Sequence, residues 1–101
     1  MSNKAHTATL NRICRRYGLS ANQDGEPFDI QTGELVIEVE TSASVPEAVT
    51  RLTSLPAPVY IAVTNKEGIG FAREQVEGTS IGLLDPKGDV IRPSGGHKFS
   101  E

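Results

Sequence analysis

The stretch GELVIEVET, residues 33–41, sets Glu38 and Glu40 at the end of an apolar run of Leu35, Val36, Ile37 and Val39, and PFDI just upstream carries Asp29. Thr32-Gly33 lies between two β-prone runs and reads as a hairpin turn. With that pair as the turn, Gln31 faces Glu34, Ile30 faces Leu35 and Asp29 faces Val36. Side chains alternate along each strand, so Asp29, Val36, Glu38 and Glu40 share one face, while Phe28, Ile30, Leu35, Ile37 and Val39 share the other. Asp29 and Glu38 become diagonal neighbours whose carboxylates can reach one ion. A two-residue change of register keeps this parity; a one-residue bulge destroys it.

Three carboxylates on one sheet face raise each other's pKa unless a cation lies among them. A hard divalent ion, Mg2+ or Mn2+, suits Asp29 and Glu38, with the main-chain carbonyl of Val39 between the two glutamates as a further ligand. Such an ion can polarise a phosphodiester for in-line attack by water. The other reading is a solvated polar face on a half-exposed hairpin, which alternation alone produces.

The elements that must position these residues can be read along the chain. Residues 3–17 carry Ala5, Ala8, Leu10, Ile13, Cys14 and Tyr17 on one helical face, with Gly18 placed to end the helix. Residues 20–27 are turn-rich, with room for a short edge strand before Pro27. Residues 44–55 predict a second helix, with Ser44 as N-cap, Pro46 and Glu47 in the first turn and Val45, Ala48, Val49, Leu52 and Leu55 facing inward. PVYIAVT at 58–64 is an uninterrupted apolar run, as in a strand buried on both faces. A short helix over 69–77 and a strand over 80–85 follow, then a turn at Pro86-Lys87-Gly88 into DVIRP; residues 94–101 read as a flexible tail after a single domain, 1–93. The strand over 34–41 is therefore expected antiparallel to 28–31 and, through a right-handed helical crossover, parallel to 58–64. This is an α/β fold with a mixed central sheet flanked by helices.

Composition narrows the function classes. The apolar fraction is 37% and the aromatic fraction 5%, so the core must be aliphatic. No run approaches a membrane span, and the N-terminus has no apolar signal region. The lone Cys14 has no partner at disulfide or zinc spacing, which fits a reducing cytoplasm, and its place on the apolar helix face reads as core. The net charge is -3, yet residues 1–19 hold Lys4, Arg12, Arg15 and Arg16 and no acid. With Arg51 these are candidate phosphate contacts; the plainer reading is a solvated helix face. His6 reads as a surface residue, since no Ser/His/Asp set surrounds it.

PFDI followed by VIEVET resembles the PD-(D/E)XK motif of restriction-endonuclease-like nucleases. Pro27, Phe28 and Asp29 match its first element with one residue inserted, and Glu38-Val39-Glu40 match its second. The αβββαβ core order of that family also resembles the elements read over residues 3–64, to which a C-terminal helix and strand are added. The resemblance implies a DNA nuclease with Asp29, Glu38 and Glu40 as catalytic residues and Mg2+ held by Asp29, Glu38 and the Val39 carbonyl. It departs at Glu40, where the family carries a lysine; Glu stands there in a minority of similar restriction enzymes. Lys66 and Arg51 are the residues from which a substitute cation could come. A chain this small is similar in size to the dimeric Holliday-junction resolvases, which implies a homodimer. The rival expectations are a catalytically inactive nuclease-fold module that binds nucleic acid or protein, and an adaptor that pairs through a free sheet edge.

Overall fold

The computed structural model describes residues 4–23 and 25–95. Helix α1 (Lys4–Tyr17) leads to strands β1 (Ile30–Gln31) and β2 (Val36–Glu40), then helix α2 (Val45–Leu52), strand β3 (Val59–Val63), helix α3 (Ile69–Val76) and strands β4 (Gly82–Leu84) and β5 (Val90–Arg92). The strands form one mixed sheet in the order β1-β2-β3-β4-β5. As expected, β2 runs antiparallel to β1 and parallel to β3, and β3 is parallel to β4. No helix of the described residues is long and apolar enough to cross a membrane.

Alternation along the strands sorts the core into two layers. Val36 of β2, Val59, Ile61 and Val63 of β3 and Leu83 of β4 pack with Val45, Ala48 and Leu52 of α2 and Ala72 and Val76 of α3. Ile37 and Val39 of β2, Tyr60 and Ala62 of β3 and Leu84 of β4 pack with Ile13 of α1. One helix thus covers one face and two cover the other. The apolar run at 58–64 is what a strand between two such layers requires.

Several expectations are corrected. Among the described residues, 20–23 and 25–29 form no strand, so the order there is αββαβαββ and lacks the third early strand of an αβββαβ core. The stretch expected to follow the β4 turn is instead a fifth strand, antiparallel to β4. The hairpin register is Ile30↔Ile37 and Gln31↔Val36, two residues from the tight-turn register, so the parity survives. The longer loop is closed by Thr32, whose N–H donates to Leu35 O and whose hydroxyl accepts from the Glu34 and Leu35 N–H groups. Phe28 joins the α2 and α3 layer instead of the face shared by Ile30, because the chain leaves the strand at Asp29 and alternation stops there. Ser44 does not cap α2 with its side chain; a 3-10 turn over Ser42–Ser44 precedes the helix, and the Ser44 hydroxyl donates to Thr41 O. The chain stays packed through Ser94, which is buried and accepts the Val59 N–H, while residues 96–101 of the expected tail lie outside the described residues.

Candidate functional site

Glu38 sits in the middle of β2, with its side chain on the face that α2 covers. It is 6% exposed and stands beside the apolar neighbour Val36. A carboxylate so placed needs partners. Its Oε1 accepts the Asp29 N–H at 2.9 Å, and its Oε2 lies 3.1 Å from Nη2 of Arg51. The same Nη2 is 3.5 Å from Oε2 of Glu40, and Nε of Arg51 is 3.3 Å from Oε1 of Glu47 one turn earlier in α2. A guanidinium thus lies among three glutamates. Burial nevertheless dominates: with the Asp29 and Glu40 charges it outweighs the Asp29 N–H and Arg51, and the Glu38 carboxyl is pushed up to about 7.

Asp29 lies one residue beyond β1, and its side chain turns toward the edge of β2. Its Oδ2 accepts the Val39 N–H at 2.8 Å and lies 3.1 Å from Nε2 of His6 in α1. Two side chains therefore replace the ladder where β1 stops: Asp29 takes the N–H of Val39, and Glu38 takes the N–H of Asp29. In an antiparallel ladder, the N–H and C=O of one residue point to the same edge. The Val39 carbonyl therefore lies along the same strand edge as the Asp29 carboxylate.

The expected residues are thus brought together in part. Asp29, Glu38 and Glu40 cluster around one strand end, and Arg51 reaches them from α2. Lys66 is exposed in a 3-10 turn after β3. Arg12 donates to Pro86 O at 2.8 Å, and Arg16 to Lys87 O and to the Asp89 carboxylate, so both engage the β4–β5 turn. Lys4 and Arg15 are exposed on α1, on the opposite face of the sheet from Arg51. Two participants are additions to the expected set. Glu47 was legible in principle, since its i,i+4 spacing to Arg51 is the helical ion-pair spacing. His6 was not, because 23 residues separate it from Asp29.

The donor atoms are hard oxygens: three carboxylates and a main-chain carbonyl at one strand end. Among the described residues, no group of three or more His, Cys, Asp and Glu side chains is arranged to hold an ion by itself. Magnesium is commonly bound by one or two carboxylates, with water and substrate phosphate completing its shell. Asp29 and Glu38 supply two carboxylates at this strand end, and the guanidinium of Arg51, 3.1 Å from Glu38 and 3.5 Å from Glu40, is a cation already drawn to the cluster. No protein-family model, curated protein or solved structure matches this chain.

Proposed function

We propose that this chain is a small restriction-endonuclease-like domain that hydrolyses DNA phosphodiesters at Asp29, Glu38 and Glu40 with a divalent ion. The observation that carries the reading is the position of Arg51. The motif has Glu40 where a lysine is usual, and α2 returns a cation to that place, within 3.5 Å of Glu40 and 3.1 Å of Glu38. The hairpin followed by a parallel crossover also supports it. Asp29, Glu38 and the Val39 carbonyl would hold Mg2+ or Mn2+, which supplies Lewis-acid polarisation of the phosphate. Asp29 is oriented for this by Val39 N–H and His6, and Glu38 by the Asp29 N–H. Glu40 orients the attacking water and accepts its proton. Arg51 balances negative charge on the phosphate as it builds up.

The test is calorimetric titration with magnesium or manganese beside a plasmid-nicking assay. Wild type should take up the ion and nick. Asp29→Asn should lose ion binding. Arg51→Ala should lower the nicking rate about 100- to 1,000-fold, with Arg51→Lys retaining part of it. A second reading has its own observation: both Glu38 oxygens already have donors within the chain. An inactive nucleic-acid-binding module would bind DNA in chelator, give no ion heat and nick with none of the variants.

A further inference from the structure

A cleft of about 510 Å3 opens beside the acidic cluster, lined by Pro27, Phe28, Leu55, Glu38 and Arg51. The last two belong to the site already described; the other three give it an apolar wall containing one aromatic ring. Phe28 and Leu55 are half-buried and Pro27 is exposed, so the wall is reachable from solvent. We propose that this cleft receives an unpaired nucleobase of the strand under attack, so that the substrate is single-stranded or locally opened DNA. The inference rests on the nuclease-like reading above and deepens it.

The argument is one of adjacency and chemistry. Glu38 and Arg51 line both the cleft and the acidic cluster, so a phosphate at the cluster leaves the base of its own nucleotide at the cleft. The volume is in the range of small-ligand pockets, about 300–1,000 Å3. An aromatic ring with proline and leucine beside it suits the flat apolar face of a base, and Glu38 and Arg51 at one end of the cleft tie it to the acidic cluster. A base inside a duplex has both faces covered by its neighbours, so a protein that reads such a base must act on single strands or extrude it. Nothing in the cleft requires a particular base, because stacking is tolerant of sequence.

Fluorescence anisotropy in calcium, with labelled oligonucleotides, tests this. The probes are a mixed-sequence single strand, its blunt duplex, and the same single strand with abasic sites throughout. Wild type should bind the natural single strand about tenfold or more tighter than either other probe. Phe28→Leu should lose about that factor on the natural strand only, and Phe28→Trp should keep it. Because Phe28 also packs against the core, thermal melting checks that both variants fold; if Phe28→Leu does not, the abasic strand decides with wild-type protein alone. Equal affinity for the natural and abasic strands, or for single strand and duplex, overturns the base-binding cleft while leaving a nuclease that grips only the backbone. Failure to bind any probe, together with no cleavage in magnesium, overturns the nuclease-like reading and the cleft with it.

Discussion

At Glu38, burial keeps a proton within reach of neutral pH. The native state holds that proton with a pKa of about 7, against the 4.5 ordinary for a glutamate, so folding gains from protonation below the higher value. The gain is full below the unfolded pKa and disappears as pH rises through about 7, an effect on the order of 3 kcal/mol at most. Burial contributes most to this balance, and Asp29, Arg51 and Glu40, which face the group, adjust it. In chelator, wild type should therefore melt at lower temperature as the pH goes from about 5 to about 8. Glu38→Gln should remove that part of the slope, and its melting temperature should exceed wild type increasingly toward the alkaline end. Parallel slopes for the two proteins would contradict it. His6 acts on the other acid. His6→Ala leaves Asp29 with the Val39 N–H as its donor among the described residues, so if Asp29 holds magnesium as proposed, the affinity measured by calorimetry should fall about tenfold, with His6→Asn restoring part of it.

At the scale of elements, α1 spans the sheet, with its first turns near Asp29 and its last turns over the β4–β5 turn. Arg12, Arg16 and the Tyr17 hydroxyl all donate to groups of residues 86–89, Tyr17 to Gly88 O at 2.6 Å. Basic residues offered to phosphate thus also hold a turn. Tyr17→Phe should cost about 1 kcal/mol of unfolding free energy in urea, and Arg12→Ala a similar amount. Arg15 is exposed, so Arg15→Ala should leave stability unchanged. If it touches duplex DNA, its loss flattens the slope of log affinity against log salt by about 0.9; an unchanged slope makes it a solvated residue. On β4, a Cβ at Gly82 would come within 2.5 Å of Ser94 N and of the Tyr60 ring. Gly82→Ala should accordingly destabilise by about 1–3 kcal/mol, read from the urea midpoint. An unshifted midpoint would mean that the strand end yields freely.

The molecule is nearly isometric, about 30 × 28 × 27 Å, and Asp29, Glu38 and Glu40 cluster toward the β1 edge of its sheet. On the nuclease reading proposed above, one cluster would cut one strand. Cleaving both strands of a duplex calls for two copies, which is the basis of the homodimer expected for this chain. A single-stranded substrate needs no second copy. Cleavage per chain on single strands should therefore stay constant through serial dilution of the protein, while linearisation of plasmid should fall more steeply than first order. A steep fall on single strands as well would make the dimer part of the site.

Much of this architecture was legible in residues 28–64. The β-prone runs around Thr32-Gly33, the helical periodicity of 45–52 and the apolar run at 59–63 determine strand directions, because local pattern and crossover geometry leave few alternatives. Parity also put Glu38 and Glu40 on one face, since a period of two does not depend on the register of the loop. What the local pattern could not supply was contact across the chain. Asp29 leaves the ladder because its carboxylate takes the Val39 N–H, a choice made by the shape of the edge and not by propensity. Arg51 reaches Glu38 and Glu40 only because α2 packs on that face of the sheet, and His6 reaches Asp29 only because α1 packs on the other. Side-chain partners far apart in sequence are fixed by how helices cross a sheet, and for that reason only the tertiary structure decided which cation stands beside the acids.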